Sequence, residues 1–342
     1  MGLLDYIKPS RPTMKVCMMG PKAVGKTTVL TAVFNETQNS IADTKLNLLA
    51  LGDTNAELMD RKYKLSAMFK KKLDVVDRPQ GGISASSTES RFDFSFGFIG
   101  KEPILDLMIN DFPGEMIVNN QERVIEFIKE SKAVFIAIDT PHLMEKNGEF
   151  NDVKNKPSIV IELFKKAISS LNEEKLIVLI PLKCEKYFHE KRMSEVLGRI
   201  KEVYAPLMTL LKENENMCCM VSPILTLGDV EFDDFTYENN LVKLAPDNCP
   251  DSVLYKYVGE SRYTPLFCSQ PLYALLSFVA AQYKRMDNGS ILDRIKNFVF
   301  NIFNNNELLF DEIVKMDKTR ISNNAPLGYE VLCGGELFHY NH

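Results

Sequence analysis

The chain has 342 residues, 45% of them apolar and 25% charged, with a formal net charge of −5. This composition excludes a disordered polymer and gives enough length for one large domain or two modest ones. The negative balance argues against general nucleic-acid binding, because phosphates call for clustered Lys and Arg. The seven cysteines are odd in number, lack C-x-x-C spacing and fall largely in apolar strand-like runs, which points to reduced thiols and a cytoplasmic setting. No apolar run reaches the roughly 18 residues of a transmembrane segment. The start, Met1 to Tyr6, shows no signal-peptide core and no myristoylation pattern. The four histidines show no ligand spacing, so no structural metal is expected.

Residues 1–13, with Pro9 and Pro12, read as an N-terminal arm, and Met14 to Met19 as a buried strand. Next comes Gly20-Pro21-Lys22-Ala23-Val24-Gly25-Lys26-Thr27-Thr28, a complete G-x-x-x-x-G-K-[ST] loop. Glycines let such a backbone turn its N–H groups toward phosphates, and the following helix adds the positive end of its dipole. Gly20, Ala23, Val24, Gly25, Lys26, Thr27 and Thr28 are therefore assigned to the phosphates. Lys26, expected to stand exposed in the empty loop, bridges the β- and γ-phosphates, and Thr27 offers a hydroxyl to Mg²⁺.

Lys45 to Leu51 is strand-like, and Thr54-Asn55-Ala56-Glu57 reads as a capping box opening a helix that ends in Lys70-Lys71-Lys72. Residues 45–88 exceed what a minimal connection needs, and long connections are usually functional or disordered, so this insertion is expected to present a nucleotide-dependent surface. Arg91 to Phe98 alternates strictly, with four phenylalanines on one face, and pairs in an antiparallel hairpin with Ile104 to Asn110. Apolar runs at 133–139, 176–182 and 217–222 alternate with helical segments, which implies parallel pairing. The helical region 192–214 contains Pro206. Residues 228–267 have little periodicity and read as an insertion whose Glu231, Asp233 and Asp234 form a solvated loop. Pro271 to Arg285 is an apolar helix. The predicted fold is α/β of the P-loop NTPase class: a mostly parallel sheet with one antiparallel strand, helices on both faces, a main domain over 14–286 and a small helical C-terminal appendage over 287–342.

Asp111-Phe112-Pro113-Gly114-Glu115 follows the third core strand. An acid there reaches Mg²⁺, and the Gly two residues beyond the intervening pair can turn its N–H toward a γ-phosphate. With this segment the chain resembles the translation-factor-related, Ras-like GTPases. The resemblance implies Thr88 as a switch residue and metal ligand, with Ser84, Ser86 and Ser87 as competitors, and Glu115 where a water-orienting Gln stands. It also implies base recognition by Leu182-Lys183-Cys184-Glu185. There Leu182 replaces the family's Asn and Glu185 its Asp, while Pro223 lacks the N–H that the last loop offers to guanine. Together with Ile136 to Pro141, Pro223 to Gly228 and Cys268 to Leu272, the motifs over residues 14–286 look like the bacterial double-GTPase proteins of the TRAFAC clade. That resemblance implies a GTPase that binds GTP or GDP with Mg²⁺ and works in a multi-protein bacterial system. Catalytic roles fall to Lys26, Gly114 and Glu115, base contacts to Lys183 and Glu185, and metal contacts to Thr27, Thr88 and Asp111. Protein partners would engage the switch insertion or the C-terminal appendage. An ATPase, a kinase-like phosphotransferase and a non-hydrolysing scaffold remain open as alternatives.

Overall fold

Strands apolar on both faces require cover on both, and the helices between them supply it. The computed structural model describes residues 11–38, 41, 44–70, 89–169, 171–236, 249–250, 252–259, 263–286, 293–304, 306–323 and 330–338. Its strands are β1 Thr13–Met19, β2 Leu46–Ala50, β3 Ser90–Phe98, β4 Leu105–Asp111, β5 Ala133–Asp139, β6 Lys175–Leu182, β7 Met217–Val221, β8 Val230–Thr236, β9 Ser252–Tyr257 and β10 Glu330–Cys333. The helices are α1 Lys26–Thr37, α2 Gly52–Lys70, α3 Met116–Asn119, α4 Gln121–Glu130, α5 Thr140–Met144, α6 Asn151–Lys154 and α7 Pro157–Ile168. They continue as α8 Glu185–His189, α9 Met193–Val203, α10 Ala205–Lys212, α11 Gln270–Met286, α12 Asp293–Phe303 and α13 Glu307–Asn323. No helix among the described residues is long and apolar enough to cross a membrane.

Eight strands form one sheet in the order β10-β7-β6-β5-β1-β4-β3-β2, and β8 and β9 form a separate hairpin. The run from β7 to β4 is parallel. β3 is the expected antiparallel strand, paired with β4 on one side and β2 on the other. β10 adds a second antiparallel strand at the far edge, beside β7. The period of two splits each core strand between two layers. Met14, Val16 and Met18 face a cluster with α1, α11, α12 and α13, while Cys17 and Met19 face one with α4, α7, α9 and α10. Phe92, Phe94, Phe96 and Phe98 all enter the first cluster, as their alternation predicts.

Four sequence expectations change. Thr54 is not a helix cap: α2 begins at Gly52, whose φ of 48° makes the turn, and the Thr54 hydroxyl accepts the Asp93 N–H of β3 at 2.9 Å. Glu57 then pairs with Arg61 instead of the helix end. The region 192–214 is two helices broken at Tyr204, because Pro206 near the start of α10 cannot continue α9. Residues 228–267 contain the β8–β9 hairpin. Its register shift between Phe232 and Asp234 breaks the alternation and buries both Phe232 and Phe235. Glu231 is consequently buried rather than solvated, paired with His189 at 3.0 Å and Lys256 at 3.1 Å. Finally, the C-terminal segment supplies β10 to the main sheet as well as two helices.

β1 sits where the winding reverses, with β4 on one side and β5 on the other. In open α/β sheets the crevice beyond the strand ends at such a point is where ligands bind. Replacing Phe96, buried in the middle of β3, by Ala should cost about 3–5 kcal/mol of stability by urea denaturation. A loss under about 1 kcal/mol would show that this phenylalanine row does not hold the sheet edge.

Candidate functional site

The loop after β1 begins at Gly20, where a Cβ would lie 2.7 Å from the carbonyl oxygen of Ala137 on β5. Only glycine lets the chain leave the sheet so close to its neighbour. Gly25, with φ of 111°, caps α1, and Ala23 also takes positive φ. The first bond of α1 runs from Val29 N–H to Gly25 O at 3.0 Å, so the N–H groups of Lys26, Thr27 and Thr28 lie outside the helix's own bonding. These groups and the helix dipole can receive an anion at the topological switch point.

Lys26 is buried, not exposed as expected. Its Nζ donates to the Gly20 and Pro21 carbonyls at 3.3 and 3.5 Å and lies 3.7 Å from Asp111 Oδ1. The loop curls around the ammonium and satisfies it internally. Burial pulls the Lys26 pKa below its ordinary value, against the opposing charge of Asp111. Asp111 ends β4 beside Met18 of β1, and its Oδ2 accepts the Thr27 hydroxyl at 3.1 Å. Burial lifts its carboxyl above the usual range, opposed first by Lys26. Asp111 Oδ1 is buried without a hydrogen-bond partner.

The Thr27 hydroxyl and Asp111 carboxylate offer adjacent hard oxygens, and an orphan carboxylate oxygen beside them fits a Mg²⁺ ion that retains waters. No cluster of three His, Cys, Asp or Glu side chains able to hold a metal occurs among the described residues, so such an ion would draw its other ligands from water and phosphate. Thr88, the third expected metal ligand, lies outside the described residues.

Gly114 is pressed onto the loop: a Cβ there would meet Lys22 N at 2.3 Å and Pro21 C at 2.6 Å. Next to it, Glu115 pairs with Lys22 at 2.8 Å, and that bond holds its carboxyl below the ordinary range. The segment after β4 and the loop after β1 thus meet through backbone packing and an ion pair. Movement of one must displace the other.

The second half of the site lies at the ends of β5 and β6. Leu182 approaches the loop, its Cδ1 3.9 Å from where a Gly25 Cβ would stand, and brings no hydrogen-bonding side chain there. Lys183 takes φ of 61° and turns its Nζ to Asp139 Oδ2 at 2.6 Å. Asp139 also bonds His142 Nδ1 at 2.6 Å, and Asn155 holds its backbone. Burial alone would raise the Asp139 carboxyl, but Lys183 and His142 outweigh it and hold the group well below the usual range. Glu185 starts α8 and is 2% exposed, with its Oε1 accepting the Leu227 N–H at 2.9 Å. At Ser222-Pro223, where the sequence predicts this loop's backbone donor, proline has no N–H. The structure supplies an N–H at Leu227, a backbone group with no sequence signature.

The β8–β9 hairpin covers this half. Phe235 packs on His142 with centroids 4.8 Å apart, and Lys186 lies over Phe232. The site therefore combines a loop half, Lys26, Thr27, Asp111 and Gly114, with an enclosed half, Lys183, Glu185 and Leu227.

No protein-family model matches the chain, and no curated protein matches it. Among solved structures it is similar to the S. cerevisiae Ski7 GTPase-like domain bound to GDP and inorganic phosphate, at 16% identity and a TM-score of 0.37, over 63% of this chain and 43% of that one. It is similar to the same domain bound to GTP at 14% identity and a TM-score of 0.39, over 66% of this chain and 45% of that one. The chain thus spans less than half the length of these structures.

Burial pushes Glu185 up to about 7, against the hydrogen bond from Leu227. Because the folded pKa lies above the unfolded one, its contribution is fully present below about pH 4.5 and is lost as pH rises through about 7. Stability should fall by up to about 3 kcal/mol across that window in the native protein relative to Glu185→Gln. Parallel pH profiles for the two proteins in urea denaturation would show that Glu185 ionises without penalty.

Proposed function

We propose that the protein is a Mg²⁺-dependent guanine-nucleotide switch with slow GTP hydrolysis. The observation that carries this is the junction of the phosphate loop with the Asp111–Gly114 turn, where Thr27, Lys26 and Asp111 converge and Gly114 packs on Pro21 and Lys22. In this account Lys26 leaves the Gly20 and Pro21 carbonyls for the β- and γ-phosphates. The N–H groups of residues 23–28 line the phosphates. Thr27 and Asp111 would hold Mg²⁺, which would neutralise phosphate charge, and Thr88 would join them from the insertion. Gly114 senses the γ-phosphate through its seat on the loop, and Glu115, released from Lys22, orients water.

Guanine is favoured by the pair at the enclosed half. A carboxylate acceptor and a backbone donor, Glu185 and Leu227, stand 2.9 Å apart. The guanine edge offers donors at N1 and N2 and an acceptor at O6, so it can replace that bond and satisfy both partners. Lys183, held by Asp139, keeps its stem beside the ring position. A second reading, an ATPase or a nucleotide-bound scaffold without turnover, draws on the burial of Lys183 and Glu185 beneath the β8–β9 hairpin. The resemblance to bacterial double-GTPase proteins supports a role inside a multi-protein cytoplasmic system. Partners would bind the insertion around α2 or the C-terminal helices.

Titration of the purified protein with fluorescent GDP, GTP, ADP and ATP in Mg²⁺ tests this proposal. Guanine nucleotides should bind and adenine nucleotides should bind more weakly; equal binding would favour the second reading. Lys26→Ala should lose about a hundredfold in triphosphate affinity, the scale of one or two charge-assisted bonds. Its fold should be retained at some cost in stability, since Asp111 loses its buried partner. Unchanged affinity would remove the phosphate-site assignment. Glu185→Ala should weaken guanine nucleotides by about 1.5–3 kcal/mol and leave adenine nucleotides nearly unaffected. Equal losses for both bases would mean that Glu185 does not read the ring.

A further inference from the structure

β10 enters the main sheet by pairing with β7, and cysteines of the two strands meet there. The pairing starts with Glu330 opposite Val221 and Val331 opposite Met220, a register that would next set Leu332 against Cys219 and Cys333 against Cys218. A shift between Val331 and Cys333 changes this, and Cys333 stands opposite Cys219. The shift also decides which side of the sheet Cys333 occupies. Cys218 packs in the layer that holds α11, whereas Cys219 packs in the layer that holds α9 and α10. Val331 goes with the first layer, and Leu332 and Cys333 both go with the second. The one extra residue in β10 therefore brings Cys333 both opposite Cys219 and onto its face.

Facing residues of an antiparallel pair have Cα atoms about 4.5–5.5 Å apart. A disulfide needs Cα atoms about 4.4–6.8 Å apart with the Cβ atoms on the same side, so this pair meets the requirement without movement of the backbone. The strands are also pressed together at this end. Gly334, with φ of 67°, follows Cys333, and a Cβ there would collide with the Met217 carbonyl oxygen and lie 2.9 Å from Cys218 Cα. No cluster of three His, Cys, Asp or Glu side chains able to hold a metal occurs among the described residues, so the two sulfurs form a pair and not part of a larger ligand set. Their environments differ. Cys219 is fully buried, while Cys333, on the outermost strand, is 8% exposed. Burial pushes the core thiols Cys17 and Cys218 up to about 12, whereas the neighbouring Cys219 thiol holds Cys333 below its ordinary value.

We infer that Cys219 and Cys333 are a reversible dithiol–disulfide site, oxidised by a peroxide, that fastens the C-terminal strand to the main sheet. Cys333 reacts first. Its thiolate attacks one peroxide oxygen, the O–O bond breaks and hydroxide leaves, giving a sulfenic acid. The Cys219 sulfur then attacks the Cys333 sulfur, the S–O bond breaks, and the departing oxygen takes the Cys219 proton and leaves as water. Two thiols are oxidised to one disulfide, and the peroxide is reduced to two waters, the hydroxide taking up the proton lost by Cys333. A thiol reductant reverses the bond by exchange. In a reducing setting such a pair rests as thiols and oxidises transiently, which suits a sensor and not a permanent staple. The bond would anchor β10, a strand of four residues, and close the chain that carries the β8–β9 hairpin and α11 to α13. None of this depends on what the loop after β1 binds.

The test treats the whole native chain with hydrogen peroxide, blocks the remaining thiols on unfolding and maps the peptides without reduction. A Cys219–Cys333 linked peptide should appear and be released by dithiothreitol, with fragmentation between Cys218 and Cys219 assigning the sulfur. Cys218→Ser should still form the link. Cys219→Ser should leave Cys333 as a sulfenic acid that dimedone traps, and Cys333→Ser should leave Cys219 a free thiol. In the linked protein, amide exchange over residues 330–333 should slow by about tenfold or more. Absence of the link in the native protein, a link through Cys218, or separate oxidation of the two thiols would overturn the pairing. A link that leaves exchange over 330–333 unchanged would overturn the fastening.

Discussion

The buried carboxylate of Asp111 is the constraint on which the rest of the site depends. It stands at the end of β4, 3.1 Å from the Thr27 hydroxyl and 3.7 Å from the Lys26 ammonium, and is 1% exposed. A charge so enclosed requires compensation, and the compensation comes from the one loop whose shape is set by the β1–β5 contact at Gly20. The parallel pairing of β1 with β4, with Met18 opposite Asp111, brings the two motifs together although they lie far apart in sequence. The sheet is thus the device that converts two short sequence patterns into one cavity.

From that cavity the consequences extend in two directions. Toward β3 and β2, α2 packs beside α1, the helix whose first turn carries Lys26 and Thr27. Toward β6 and β7, Leu182 approaches the loop and leads into Lys183 and Glu185, both buried. The Asp139, His142, Asn155 and Lys183 network makes this side stiff, because every member has a specific partner in a low-dielectric interior. The β8–β9 hairpin lies over it, with Phe235 packed on His142. The loop half holds Asp111 Oδ1, buried without a hydrogen-bond partner, and the enclosed half holds the Glu185–Leu227 bond. Occupation of the first would relieve a cost, whereas occupation of the second requires an exchange of bonds.

Much of this was legible from residues alone. The phosphate loop announces itself because each of its glycines has a geometric duty, and Phe92 to Phe98 announce a strand because strict alternation admits one period. The Asp111 turn was legible from its place at the end of the next strand, β4. Other features follow from tertiary demands that local pattern does not carry. Thr54 looks like a cap until β3 offers an N–H that needs an acceptor more. The β8–β9 hairpin hides because its bulge puts Phe232 and Phe235 on one side at a spacing of three. β10 is four residues long and finds its place only against β7. Leu227 contributes a backbone N–H, which any residue but proline could supply. Lys26 looks exposed in a bare motif and is enclosed because the empty loop's own carbonyls fold onto it.

The most direct test of the central claim is a crystal structure of the protein with Mg²⁺ and a non-hydrolysable GTP analogue. The account predicts the triphosphate along residues 20–28, Lys26 withdrawn from the Gly20 and Pro21 carbonyls, Mg²⁺ between Thr27 and Asp111, and the guanine edge in place of the Glu185–Leu227 bond. Nucleotide bound elsewhere, or phosphates in the loop with that bond intact and the base outside the enclosed half, would contradict it.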